Sequence, residues 1–174
     1  MSGKISDNLG RSSGLVKAAA GGGKIGQVLT TQNTAVESTT SSSFSTIPDF
    51  SRAITPVATS SKILVVSSLQ LSHAPQHTMH KLMRDSTPIG IGDTSSARDR
   101  VSFSTFEGGT QEGMACWSHH FSWLDSPSST SEIIYSWSWR ITGVTLYMNR
   151  AEDFSDHANY PVCASSITCM EVLA

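Results

Sequence analysis

A chain of 174 residues with 12 Lys and Arg against 14 Asp and Glu, for a net charge of −2, has neither the basic excess of a nucleic-acid-binding domain nor the acidic excess of a solvating tail. Charged residues are 15% of the chain, well under the about 25% of typical soluble domains, while 31 Ser and 17 Thr supply much of the polar surface, a balance that suits a β-rich scaffold. Nowhere do 18 apolar residues run together, which excludes a membrane-spanning helix.

Residues 1–26 read as an N-terminal arm with a glycine hinge at 21–26. Lys4, Arg11, Lys17 and Lys24 stand against Asp7, so this segment carries +3 and leaves −5 on the remainder. Its apolar residues, Ile5, Leu9, Leu15 and Val16, are too few to close a core but suffice to pin an extended arm into grooves of a partner protein. The arm has no aromatic residue to interleave with its basic ones, so the expected partner is protein and not nucleic acid. No apolar stretch follows the first lysine, so no signal peptide is expected and synthesis is placed in the cytosol. The run Gly-Gly-Gly-Lys-Ile-Gly at 21–26 matches G-x-G-x-x-G by count. It follows an alanine run instead of a strand, and Ile25 stands where a phosphate loop needs Ser or Thr, so a linker is the expectation and no nucleotide cofactor is implied.

Residues 27–174 read as one β domain of a size that buries a real core. Extended structure is expected at 27–31, with an early strand and a Ser/Thr-rich loop over 33–45. The stretch 62–71 is apolar on both faces at its start, as in a central strand of a packed sheet. His73, His77 and His80 would share one face of a helix, but Pro75 interrupts it, and on a strand His80 points away from the other two. Loop histidines are therefore expected, and no metal. Further strands are expected at 101–106, 115–124, 144–148 and 165–172. His119 and His120 face opposite sides, so that one of them reaches the core or a subunit interface; a metal on a symmetry axis stays open there.

The clearest alternation is at 133–140, where Ile133, Tyr135, Trp137 and Trp139 share one face and Ser136, Ser138 and Arg140 the other. Trp117, Trp123, Tyr135, Trp137, Trp139 and Tyr147 admit two readings, a sugar-stacking platform or core packing, and strand spacing favours the core. Turn chemistry at 55–61, 85–88, 107–109 and 125–130 spaces the strands as a sandwich requires. The expected architecture is thus an all-β antiparallel sandwich of eight to ten short strands, jelly-roll-like first and Greek-key second, preceded by the extended arm.

Catalysis is not expected. No G-x-S-x-G elbow is present, and Asp85, Asp93, Asp99, Glu107 and Asp125 mostly sit beside Gly, Pro or Ser, where Asp favours turns. Cys116, Cys163 and Cys169 form no C-x-x-C pair. If one extended segment carries Cys163 and Cys169, six residues at about 3.3 Å each hold them roughly 20 Å apart, so reduced thiols are expected.

Residues 3–14, Gly-Lys-Ile-Ser-Asp-Asn-Leu-Gly-Arg-Ser-Ser-Gly, resemble the start of many tail-fibre and related virion proteins of tailed bacteriophages, especially marine and cyanobacterial phages. The stretches 82–93 (Leu-Met-Arg-Asp-Ser-Thr-Pro-Ile-Gly-Ile-Gly-Asp), 123–127 (Trp-Leu-Asp-Ser-Pro), 145–150 (Thr-Leu-Tyr-Met-Asn-Arg) and 164–172 (Ala-Ser-Ser-Ile-Thr-Cys-Met-Glu-Val) are similar to phrases of the same group in the same order. The resemblance implies a structural virion protein assembled in the host cytoplasm and bound to tail, neck or capsid proteins through its arm. Ile5, Leu9, Arg11, Leu15, Val16 and Lys17 would be the attachment residues. It also implies a homotrimer whose β domain contacts a host-surface glycan or protein, with a capsid decoration (cement) protein as the nearest rival. A polysaccharide-degrading tailspike is the more distant rival, and it would need a long repetitive β-helix that this chain lacks. The resemblance brings no catalytic residue with it.

Overall fold

Residues 24–106 and 115–173 are described by the computed structural model. Among them lie eleven strands and no helix: β1 (Lys24–Asn33), β2 (Glu37–Thr39), β3 (Ser45–Ile54), β4 (Lys62–His73), β5 (His77–Arg84), β6 (Thr87–Ile89), β7 (Phe103–Phe106), β8 (Trp117–Asp125), β9 (Ile133–Arg140), β10 (Leu146–Met148) and β11 (Ser165–Leu173). All pairings are antiparallel. One sheet runs β1-β11-β4, with β8 on the free side of β4 and β10 and β2 continuing beyond the end of β11. The other runs β3-β9-β5, with β6 and β7 sharing the far side of β5.

Without the three-residue strands β2, β6 and β10, the remaining eight, counted in chain order, lie as 1-8-3-6 and 2-7-4-5. This is the jelly-roll order, two Greek keys wrapped into a sandwich. The expected sandwich therefore stands, with the jelly-roll variant over the general Greek key. Pairing also starts earlier than the expected hinge allows. Lys24 faces Leu173 and Ile25 faces Val172, so Lys24, Ile25 and Gly26 belong to β1, and a register shift follows between Ile25 and Val28.

The core forms where period-two alternation turns apolar side chains inward from both sheets. On β9, Ile133, Tyr135, Trp137 and Trp139 are buried, as the alternation predicts. They meet Ile63, Val65, Leu69 and Leu71 of β4 and Ile167 and Cys169 of β11 in one cluster, each large apolar side chain contributing about 1.5–3 kcal/mol on full burial. The Trp137 indole donates to Ser67 Oγ at 2.9 Å across the sandwich, so its one polar atom is satisfied inside the core. Phe103 and Phe121 close on Trp137 edge-on at 5.3 and 5.5 Å. Ser136 and Ser138, expected outside, are also sheltered. They are short side chains beside their longer register partners Met83 and Lys81.

Two local devices fix the connections. Asn149, at φ 65°, donates from Nδ2 to the carbonyls of Asn33 and Ala35, both at 2.8 Å, and accepts from Ser165 Oγ at 2.7 Å. Its backbone NH donates to Gln70 O and its carbonyl accepts from Cys163 N, each at 2.9 Å. One asparagine thus ties the ends of β1 and β4 to the start of β11, in a left-handed conformation that Asn tolerates better than most residues. Gly90, just after β6, has φ +59°, and an added Cβ would sit 3.0 Å from Cδ2 of Trp123. Gly90→Ala is expected to cost about 1–2 kcal/mol, from the left-handed backbone and the displaced indole together, measurable as a lowered urea midpoint at unchanged m-value.

Candidate interaction surfaces

The attachment residues expected in the arm, Ile5, Leu9, Arg11, Leu15, Val16 and Lys17, lie outside the described residues, as does Glu107. What can be placed are the histidines, carboxylates, cysteines and aromatics, and most of them serve the fold.

His73 and His80 are both fully buried and face the same interior. His73 Nε2 lies 3.2 Å from Thr105 Oγ1, Thr105 lies 2.6 Å from Thr78 Oγ1, and Thr78 lies 2.7 Å from His80 Nε2. This corrects the expectation that His80 points away from His73. Counting alternate faces along one strand fails because the chain leaves β4 after His73 and enters β5, in the other sheet, at His77. His77 does face away from His80, exposed beside Phe106 at 4.8 Å between ring centroids. Phe103 stacks between His80 at 4.4 Å and His119 at 5.9 Å. Burial first, then the neighbouring His119 and His73, push the His80 imidazole down to about 3, so it is neutral at ordinary pH. His119 and His120 face opposite sides as expected, His120 being the exposed one. Among the described residues no three His, Cys, Asp or Glu side chains gather as metal ligands.

The carboxylates are structural wherever they can be placed with a partner. Asp125 receives Arg84 Nη1 at 3.0 Å on each oxygen and Tyr135 Oη at 2.7 Å. Burial and this bond to Asp125 raise the Tyr135 phenol well above its ordinary range. Asp85, at φ 52° in the turn between β5 and β6, accepts from Ile134 N at 2.9 Å. Asp99 pairs with Arg140. Glu171 is fully buried; burial pushes its carboxyl up, but bonds from Gln27 Nε2 and Val57 N, both 2.7 Å, outweigh that and hold it below its ordinary value. Burial pushes the Cys169 thiol up to about 12, so it stays protonated and unreactive at neutral pH.

The aromatics divide. Tyr135, Trp137 and Trp139 are core and present nothing to a sugar or to another subunit, whereas Trp117 and Trp123 of β8 remain 50% and 41% exposed. Strand β8 pairs only with β4 among the described residues, over nine register pairs without a shift and without Pro, Lys or Arg. Long edges are normally blunted by such features. The other edges have them: a register shift in β1, Pro48 and a shift in β3, and lengths of three or four residues in β2, β6 and β7.

The second surface was missed by sequence reasoning. Val28, Met170, Leu64 and Leu124 stand in one register row across β1, β11, β4 and β8, on the face turned away from the core. Ile25 and Val172 continue it on one side and Val66 on the other. Ile25, Val28, Val66 and Leu124 are 53%, 54%, 37% and 48% exposed. The signal was the run 62–71 with apolar residues on both faces. It reads as a doubly covered strand, yet among the described residues no third layer covers this side.

Among the described residues no helix is long and apolar enough to cross a membrane. No protein-family model matches the chain, and a search of curated proteins returns no match.

Proposed function

We propose that this chain is a structural virion component of a tailed bacteriophage, a short tail-fibre-like protein. The residues before Lys24 would anchor it to other virion proteins, and the jelly roll would project to contact a host-surface glycan or protein or to stabilise the particle. The observation that carries this reading is the completeness of the β domain. Among the described residues, from Lys24 onward, the two sheets enclose one core cluster, and all the expected anchors precede it in the sequence. The stretches that resemble phage fibre proteins support it as well. Two of them fall on the β5–β6 hairpin with Asp85 and Gly90 and on β10 with Asn149, where positive φ restricts the sequence, and two others on the end of β8 and on β11. Mechanism on this reading is binding, as a homotrimer, with no cofactor, metal or catalytic residue.

A capsid decoration protein is the second reading, favoured by the charge-poor outward face of β1, β11, β4 and β8, which suits lying flat on a protein shell. Copy number separates the two, hundreds per particle for decoration and tens or fewer for a fibre.

The test replaces Ile5, Leu9, Leu15 and Val16 by Ser and quantifies the protein in purified particles against the major shell protein. Each anchor contributes about 1–3 kcal/mol on full burial, so incorporation should fall below a tenth while the jelly roll stays folded. Normal incorporation of the variant would show attachment through the sandwich, and absence of the wild-type protein from particles would overturn the virion reading.

A further inference from the structure

We propose that the outward face of the six-stranded sheet, centred on the row Val28, Met170, Leu64 and Leu124, is where copies of this chain meet one another. The proposal rests on the reading above that copies associate, and it names the surface. In its place, the buried aromatics of β9 are excluded as a contact, because Tyr135, Trp137 and Trp139 are at most 1% exposed within one chain.

Three properties of the face point to a second copy as the occupant. First, it is almost free of charge. On the outward positions of β1, β11, β4 and β8 the one fully charged side chain is Lys62, at the end of the row that includes Ile25 and Val172, and there is no carboxylate. Interface centres are depleted of charge in this way. A face whose one charge sits at its margin offers little to a charged partner and meets little repulsion from its own copy.

Second, its size fits. Four strands about 4.8 Å apart and nine residues of β4 at about 3.3 Å each give roughly 600 Å² before side-chain relief is counted, near the about 800 Å² per partner that stable pairs bury. Third, it is continuous. The four apolar side chains sit in one unbroken register row, flanked by Thr30, Thr168 and Ser122, which are short enough to let a second sheet approach. The chain also enters this face at Ile25. Copies joined here would therefore start their β domains side by side, and the segments before them would engage a common partner with the gain of multivalent attachment.

The competing contact is the edge of β8, so the test separates the two. Light scattering of the full chain at micromolar concentration is measured for the wild type, for Val28→Lys with Leu124→Lys, and for the edge variant Trp117→Lys. The wild type should have at least twice the chain mass, the face variant should fall to a single chain with an unchanged β-type circular dichroism spectrum, and the edge variant should keep the wild-type mass. If the lysine pair fails to fold, Thr168→Arg brings a charge to the same face from a polar position and should give the same loss. A wild type of single-chain mass would overturn the association of copies altogether. A wild-type assembly that survives the face variants but is lost in Trp117→Lys would overturn this proposal alone and move the contact to the β8 edge.

Discussion

Replacing Asp125 by alanine is expected to destabilise the jelly roll by about 3 kcal/mol, the low end of what breaking a buried ion pair costs. Asp125 is 6% exposed at the end of β8, where its carboxylate receives both Arg84 and the Tyr135 hydroxyl. The pair itself adds little net stability, since desolvation offsets much of its attraction. Its removal is costly for another reason. The Tyr135 hydroxyl would be stranded within a fully buried side chain, a loss of about 1–3 kcal/mol, and Arg84 would keep a partly buried charge with no counterpart. Arg84 is 28% exposed on its side chain, so water recovers part of its solvation, which places the total at the low end of the range. Asp125→Asn keeps an acceptor for Tyr135 and should cost less than half as much. A double-mutant cycle with Tyr135→Phe checks the assignment. The phenylalanine background should remove at least 1 kcal/mol of the Asp125→Ala cost, and full additivity of the two changes would refute the coupling.

How far the sequence revealed this structure depended on whether each strand kept its alternation. The stretch 133–140 did, and it is β9 to the residue. The expected strands at 101–106, 115–124, 144–148 and 165–172 survive as β7, β8, β10 and β11 with ends moved by one or two residues. Two long strands went unread. In β3 the buried residues are Ile47, Phe50 and Ile54, spaced by three and four instead of two. A register shift between Thr46 and Ser51, with Asp49 at φ 48° beside Pro48, inserts the extra residues. In β5 the inward residues are Thr78, His80 and Leu82, and two of the three are polar, so the period-two pattern carried no apolar signal. The same polarity made the histidines look like loop residues or a helical ligand set, when His73 and His80 are part of the hydrogen-bonded lining of the interior. The expectation of an attachment arm rests on composition alone, and its residues lie outside the described ones. The outward row was hidden because a strand apolar on both faces does not say what covers its second side.

The buried histidine leads to a pH dependence of stability. His80 has an ordinary pKa of 6.5 and a folded value lowered to about 3, chiefly by burial and then by His119 and His73. The unfolded chain therefore binds the proton more readily, and stability rises with pH wherever the unfolded state holds more protons. The contribution is fully present above 6.5 and is lost as pH falls from there towards 3. At pH 4.5, two units below the ordinary value, the loss is about 2–3 kcal/mol. The window matters because Glu171 is held below its ordinary range; its stabilisation is present above the unfolded carboxylate pKa and is lost only as pH falls through its folded value. Urea unfolding between pH 7 and 4.5 thus reads mainly imidazole titration. His80→Gln retains a side chain able to reach Thr78 and cannot titrate, so its stability should change over this range by at least 1 kcal/mol less than the wild type's. Equal slopes for the two proteins would place the acid sensitivity elsewhere. Ordering the interior around a neutral histidine makes sense chemically, because the chain His80, Thr78, Thr105, His73 consists of groups that each donate and accept. An imidazolium at His80 would only donate, and it would do so without a counter-charge beside its two neighbouring histidines.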